Sequence, residues 1–264
     1  MSQPVLSINM AVLNAETALR ETIESLKPFM HSGIEIVVSS GDSTDGTLQL
    51  MQEYSAKFSN FIGLKKKDSG IYDALNNCLK YSSGKYVLCL GAGDYVIDPV
   101  AFTEIINILK CNEKIIYSDL YIEKLGDFLY KRYDEVELLK KRFSGLPFVH
   151  HQTIFIPRAM FSDGYDLKYR IHSDFKLIGE LSFSNEFIKI DKAAIAFRTN
   201  GVSSRIRNLW KSYREISQVY VELANRKAPL RILLIFLKNI IANIMKNMFL
   251  RYLWIESKRK KSNE

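Results

Sequence analysis

One carboxylate stands alone at the end of an apolar run. Residues 88–96 read LCLGAGDYV, so Asp94 follows Gly91, Ala92 and Gly93. Mg²⁺ and Mn²⁺ favour hard oxygen ligands, and Mg²⁺ is usually held by one or two carboxylates together with substrate phosphates. Asp94 is therefore a candidate ligand for a divalent cation that carries a diphosphate. The small residues before it would let such a ligand approach the backbone. An ordinary turn or cap role is the alternative.

Asp174 is the second candidate, in the segment YRIHSDFKLIGE, where a helix is predicted to begin near Ser173. The helix dipole favours the ionised form of a carboxylate at a helix N-terminus. A general base needs that ionised form, so Asp174 is a candidate base. A plain helix cap is the alternative, and the two roles are compatible.

Further polar side chains follow predicted strands. Ser40, Asp42 and Asp45 come after the second strand, Asp68 after the third, and Asp94 after the fourth. In open α/β sheets, ligands bind beyond the carboxyl ends of the strands. We therefore expect these groups to share one rim of the sheet.

The elements that must position these residues alternate along the first half of the chain. Strands are predicted at 4–12, 34–38, 61–64 and 85–90, and helices at 14–26, 48–57, 71–81 and 98–110. Asn14 and Asp98 are the expected N-caps, with Pro99 at the first helical position. This alternation predicts an α/β fold with a mostly parallel central sheet and helices on both faces.

The second half has a mixed pattern. A hairpin is predicted over 115–131, strands at 153–156 and 187–190, and helices from about 173 and around 210–223. Such a region is expected to form the wall opposite the rim and to hold a second substrate.

Several other signals argue against competing functions. The net charge of +8 comes from residues 226–264, which have ten Lys and Arg against two Asp and Glu, so the body has 27 of each sign. That distribution does not fit a nucleic-acid-binding surface. Cys78, Cys89 and Cys111 lack metal-type spacing and are expected to be reduced. Because adjacent side chains point apart on a strand, His150 and His151 are not expected to share a metal.

Three segments together resemble family-2 glycosyltransferases of the GT-A fold. They are VSSGDSTDGT, DSGIYDALNNCLKYSSGKYVLCLGAGDYV and HQTIFIPRAMFSDGYDLKYRIHSDFKL, and the resemblance covers about residues 4–205. The small bacterial enzymes that assemble colanic acid, O-antigen and other surface polysaccharides are the most similar group.

The resemblance implies an inverting, metal-assisted transfer from a nucleotide-diphosphate sugar. Asp94 would bind Mn²⁺ or Mg²⁺, Asp174 would be the base, and His151 and Gln152 would lie near the donor or acceptor sugar. The residues expected at the nucleotide sugar are Val12, Asn14, Ser40, Asp42, Asp68, Gly70, Asp73, Gly91, Ala92 and Gly93. The expected organisation is a nucleotide-sugar-binding half (1–115), an acceptor-binding and catalytic half (116–205) and a helical basic tail (206–264).

Two positions depart from the family pattern. Gly93 and Ser40 stand where acids are common, and Asp42 is the candidate replacement for the second. These gaps leave open an alternative function, a non-catalytic nucleotide-sugar-binding or scaffolding subunit of a membrane assembly.

The tail is predicted to be an amphipathic helix in the membrane interface. One face would carry Leu233, Leu237, Ile240, Ile241, Ile244 and Met248, and Lys238 and Lys246 interrupt what would otherwise approach a spanning segment. Packing on the body or a dimer contact is the alternative. The first ten residues lack the pattern of a signal peptide. We therefore expect a cytoplasmic protein at the inner membrane that acts on a polyprenyl-diphosphate-linked acceptor.

Overall fold

The computed structural model describes residues 3–30, 33–124, 127–133, 149–198, 208–224, 233, 234 and 237. The chain divides into two compact units, residues 1–199 and residues 200–264. The candidate site residues named above all belong to the first unit.

The first half of this unit is a run of strand–helix repeats, as predicted. Its elements are β1 (Leu6–Val12), α1 (Glu16–Leu26), β2 (Ile34–Ser40), α2 (Thr47–Lys57), β3 (Phe61–Lys65), α3 (Ile71–Tyr81) and β4 (Tyr86–Cys89). The strands are parallel in the order β3-β2-β1-β4, with Ile8 paired to Ile36 and to Leu88.

Both faces of this parallel half are covered. Leu6, Ile8 and Met10 of β1 are fully buried, and so are Ser7 and Asn9 between them. Because successive strand residues point to opposite faces, burial of both sets requires a layer on each side of the sheet. Asn9 accepts a hydrogen bond from Ser82 Oγ at the end of α3 (2.8 Å), which identifies the layer on that face.

The second half of the unit extends the sheet with mixed pairing. Its elements are β5 (Tyr95–Val96), α4 (Pro99–Lys110), β6 (Ile115–Lys124), β7 (Asp127–Lys131), β8 (Ile154–Pro157), α5 (Ser173–Ser184) and β9 (Phe187–Arg198). The sheet continues β4-β8-β6-β9-β5, with β7 on β6. Strand β8 is antiparallel to both neighbours, whereas β9 runs parallel to β6. The predicted α/β class is confirmed, and the complete sheet is mixed.

Of the two predicted N-caps, one is confirmed and the other is wrong. Asp98 Oδ1 accepts a hydrogen bond from the Ala101 N–H (2.9 Å) at the start of α4. The N-cap of α1 is Ala15 rather than Asn14. Asn14 lies in the left-handed region (φ +50°), and its Oδ1 accepts from the Thr44 N–H (2.8 Å). That turn directs the amide to the neighbouring loop and away from the helix.

In the second unit, α6 (Leu209–Ala224) confirms the helix predicted around 210–223. Val219 and Tyr220 are buried, whereas Trp210 and Val221 are exposed. Nearly all of the predicted tail helix lies outside the described residues. Among the helices that the structure does describe, none combines the length and apolar character needed to cross a bilayer.

Candidate active site

Asp94 lies in the loop between β4 and β5, at the edge predicted for it. Only 3% of the residue is exposed. Its Oδ2 accepts a hydrogen bond from the Gly91 N–H (2.8 Å), and its Oδ1 accepts one from the Arg198 N–H (3.2 Å). Burial raises the pKa of the Asp94 carboxyl to about 6, although these hydrogen bonds and the Gln152 side chain oppose the shift.

The glycines before Asp94 are needed for the shape of this loop. A Cβ on Gly91 would lie 3.1 Å from Asp94 Oδ2. Gly93 has φ +99°, a backbone conformation that L-residues rarely adopt, and its N–H donates to Thr22 Oγ1 (2.9 Å). Ala92 forms an isolated bridge with Asp94. The backbone conformation at position 93 therefore explains why a glycine stands where the family commonly has an acid.

Asp174 lies in the first turn of α5, and its side chain points to groups outside that helix. His151 Nδ1 is 2.8 Å from Oδ2, and the Tyr72 hydroxyl is 2.7 Å from Oδ1. The N-cap is His172, so the alternative of a plain cap for Asp174 is wrong. Burial alone would raise the pKa of Asp174, but the hydrogen bond and charge of His151 hold it well below its usual value.

One short turn serves both acids. In the turn His151–Thr153, His151 Nδ1 pairs with Asp174, and the neighbouring Gln152 side chain lowers the pKa of Asp94. Burial would lower the pKa of His151, but Asp174 reverses this effect and raises it. Adjacent residues of one turn thus influence both acids.

His150 has a different partner from His151, although the two lie at a short turn and not on a strand as was expected. Its Nδ1 is 2.6 Å from the Tyr133 hydroxyl. Burial lowers the pKa of His150 to about 4, so the ring is neutral at pH 7. The two histidines have different partners, and the structure does not bring them together on one ligand.

The loops after β2 and β3 meet, as the shared rim required. A Cβ on Gly41 would lie 3.0 Å from Asp68 Oδ2. Burial raises the pKa of Asp68, and the charges of Asp73 and Asp42 add to the effect. Asp42 is exposed, whereas Ser40 is buried, with its hydroxyl 2.8 Å from that of Ser43.

Other predicted rim residues have structural partners. Asp73 Oδ2 accepts from the Ser69 N–H (2.8 Å), just before Gly70, the N-cap of α3 with φ +146°. Asp45 Oδ2 accepts from the Glu16 N–H (3.1 Å), which satisfies a donor at the start of α1. Val12 is buried at the end of β1.

Two contacts of the candidate acids were missed from the sequence. Tyr72 lies in the segment 70–73 that the resemblance places at the nucleotide, but its hydroxyl reaches Asp174 from α3, which was not expected. Arg198, which was not a candidate, donates its backbone N–H to Asp94, and its guanidinium binds Glu123 (3.0 Å) and Glu21. Both contacts join segments that are remote in the chain, so no local pattern indicates them.

The model of the family described as "Glycosyl transferase family 2" matches residues 7–173. The chain belongs to this family. A PGL/p-HBAD biosynthesis glycosyltransferase of Mycobacterium bovis is 26% identical over 179 residues, which is 66% of this chain and 68% of the relative. The putative glycosyltransferase EpsE of Bacillus subtilis is 34% identical over 88 residues, 33% of this chain and 32% of the relative. The expected enzyme class, a glycosyltransferase, is confirmed.

Solved structures confirm the GT-A fold. S. aureus TarS 1–349 in complex with UDP-GlcNAc superposes with a TM-score of 0.64 at 18% identity, over 85% of this chain and 68% of that chain. The mannosyltransferase PcManGT from Pyrobaculum calidifontis, in complex with GDP-Man and Mn²⁺, gives 0.60 at 14% identity, over 90% and 70%. The TarS 1–349 structure with UDP is covered over 66% of its length, so this chain spans about two thirds of these proteins.

Proposed function

We propose that this glycosyltransferase moves a sugar from a nucleotide-diphosphate donor to a saccharide acceptor with inversion at the anomeric carbon. The observation that carries the proposal is the pairing of His151 with the ionised carboxylate of Asp174, next in the chain to Gln152, whose side chain lowers the pKa of the buried Asp94. The reaction needs a base for the acceptor proton and a ligand for the cation that neutralises the leaving diphosphate, and these two acids are the proposed groups.

Asp174 is the proposed general base. Its low pKa keeps the carboxylate ionised at neutral pH, and its side chain remains 20% exposed, so an acceptor hydroxyl can reach it. The hydroxyl attacks the anomeric carbon from the face opposite the diphosphate while Asp174 takes its proton. A positioned base typically contributes about 10²- to 10⁴-fold to the rate.

The residues at Asp94 fit a divalent cation held mainly by substrate. Each Asp94 oxygen accepts one backbone N–H, which leaves further lone pairs, and the buried Gln152 Oε1 has no hydrogen-bond partner. No group of three or more His, Cys, Asp or Glu suited to a metal occurs in the described part of the chain. Bound Mn²⁺ or Mg²⁺ would supply positive charge to offset the charge that grows on the diphosphate.

The donor is proposed to lie along the loops that carry Ser40, Asp42, Asp68, Gly70 and Asp73, and to reach the Asp94 loop. A nucleotide sugar as donor is supported by two structural neighbours, since TarS was solved in complex with UDP-GlcNAc and PcManGT with GDP-Man. Because those proteins share only the fold with this chain, the donor sugar and the nucleotide base have to be determined with a panel of donors.

The acceptor is proposed to be a lipid-linked saccharide of surface polysaccharide synthesis. GgaB of Bacillus subtilis, described as a minor teichoic acid biosynthesis protein, is 32% identical over 93 residues, 34% of this chain and 10% of that protein. The closing basic cluster, residues 258–261, favours an anionic membrane surface at about 1 kcal/mol per charge. Removal of residues 229–264 should abolish binding to anionic liposomes, and unchanged binding would contradict this membrane contact.

The test of the proposed function is a donor panel of UDP- and GDP-sugars, measured with and without Mn²⁺. A donor should raise the unfolding temperature, because a ligand that binds only the native state stabilises it. With an acceptor, NMR of the product should show the anomeric configuration inverted. Donor binding without release of nucleoside diphosphate would instead support the non-catalytic subunit.

A further inference from the structure

Tyr72 lies between two acceptors at equal distance. Its hydroxyl oxygen is 2.7 Å from Asp174 Oδ1 and 2.7 Å from the carbonyl oxygen of Ile171. A phenol has one O–H, so it donates a hydrogen bond to one of these oxygens at a time, and its oxygen can accept a hydrogen bond from a second donor.

The ring of Tyr72 is firmly placed. Only 7% of the residue is exposed, and the ring packs against that of Tyr165 with centroids 5.3 Å apart. Tyr72 is the second residue of α3, immediately after the segment of Asp68 and Gly70 assigned to the donor. A single side chain thus connects the donor-side helix to the proposed base.

We propose that Tyr72 is the positioning residue for Asp174, and that its hydroxyl is hydrogen-bonded to the Asp174 carboxyl group both before and after that group takes up the proton. This inference rests on the proposed function, because it takes Asp174 as the base. Before the reaction, the Tyr72 O–H donates to ionised Oδ1 while His151 occupies Oδ2.

The reaction step balances with this arrangement. The acceptor oxygen forms its bond to the anomeric carbon, the bond from that carbon to the diphosphate oxygen breaks, and the electron pair leaves with the diphosphate. The acceptor proton moves to Asp174 Oδ1. The new Asp174 O–H then donates to the Tyr72 oxygen, and the Tyr72 O–H turns to the Ile171 carbonyl. Neither charge state of Asp174 loses its partner.

The test compares Tyr72→Phe with Tyr165→Phe as the matched control. Each change removes one phenolic oxygen from the same pair of rings, but the Tyr165 hydroxyl lies 3.1 Å from Cys89 Sγ rather than at Asp174. The assay is release of UDP from UDP-GlcNAc with Mn²⁺, in which water replaces the acceptor hydroxyl. Circular dichroism and the unfolding temperature of each variant show whether it is folded.

For Tyr72→Phe we expect kcat to fall about 10- to 100-fold, with KM for UDP-GlcNAc within about twofold of wild type. This split between kcat and KM is expected because the ionised form of Asp174 loses a donor while the donor site is unchanged. Tyr165→Phe should stay within about threefold of wild type in both constants. A Tyr72→Phe variant that matches the control overturns the inference.

A second measurement does not depend on turnover. The chain has four histidines, so their NMR titrations can be separated, and His151→Gln identifies the His151 signal. The titratable groups that interact with Asp174 are His150, His151, His172, Cys89, Tyr72 and Tyr165. Each Tyr variant changes only one of them.

In Tyr72→Phe the His151 titration should move to higher pH, because Asp174 has lost its other donor and interacts more strongly with the imidazolium. An unchanged His151 titration rules out the Tyr72–Asp174 bond even if no donor turns over. Absence of UDP or GDP release from the whole donor panel, with the His151 shift present, contradicts the proposed function and leaves the positioning contact standing.

Discussion

The parallel half of the sheet, β1 to β4, and the mixed half, β5 to β9, are built on different principles. In the parallel half, each strand–helix repeat places its loop at the shared edge, as at Asp42 and Asp68. In the mixed half, Tyr95 pairs with Ala196 from a distant strand, and Asp174 is bonded by Tyr72 of the parallel half at a separation of 102 residues. The proposed donor side is local in sequence, whereas the base side depends on tertiary contacts.

The largest expected effect separates the two halves by function. Asp174→Asn should reduce sugar transfer by about 10²- to 10⁴-fold, because an amide cannot take the acceptor proton. Donor binding, measured by thermal shift with the nucleotide sugar, should remain. Asp163→Asn, at an exposed aspartate, is the control. Turnover within a few-fold of wild type in Asp174→Asn would exclude this residue as the base.

A second test loosens the contact between the halves. Asn76 of α3 donates to the Tyr165 carbonyl (2.8 Å) and accepts from the Tyr165 N–H (2.7 Å). Asn76→Ala removes both bonds and should lower the free energy of unfolding by about 2–3 kcal/mol in urea. Asn107→Ala, whose side chain binds only the exposed Lys110 amine among the described contacts, should cost well under about 1 kcal/mol. Equal losses would show that Asn76 does not connect the halves.

The pH dependence of stability should reveal the buried histidine of the mixed half. The pKa of His150 is about 4 in the folded chain, below the usual value of 6.5. As pH falls below 6.5, the unfolded state takes up a proton that the folded state does not, so stability decreases. Between pH 7.5 and 5, wild type should lose about 2 kcal/mol more than His150→Gln. Parallel stability curves for the two proteins would contradict this assignment.

The smallest effect concerns the loop that joins the halves. Gly93→Ala forces a Cβ onto a residue at φ +99° and should cost about 1–2 kcal/mol of unfolding free energy. Gly46→Ala is the control, because its φ is −71° and the three atoms nearest its added Cβ belong to the end of the Glu16 side chain, which can move aside. A Gly93 variant as stable as the Gly46 variant would remove the conformational reason for that glycine.

Sequence patterns predicted the parallel half well, because its information is local. Apolar runs such as residues 34–38 and the Asp98–Pro99 start of α4 specify their own structure. Asn14 was misassigned for the opposite reason. The N–H donors at the start of α1 bond Asp45 Oδ2 in the loop after β2 and Thr47 Oγ1 at the start of α2, some 30 residues further along.

The candidate site was predictable as a set of residues but not as a set of contacts. Asp94, Asp174, His151 and Gln152 could be named from motifs, yet nothing in the sequence pairs His151 with Asp174. The strand that ends at Arg198 was predicted to stop at 190, so the hydrogen bond from the Arg198 backbone to Asp94 could not be predicted. Such contacts depend on how strands and helices that are far apart in the sequence pack together.

The turn at residues 151–153 constrains how the enzyme can vary. His151 there pairs with Asp174, and the side chain of the next residue, Gln152, lowers the pKa of Asp94. Insertion or loss of a single residue would move both side chains out of register with these two acids. Length in this stretch is therefore as restrictive as chemical identity.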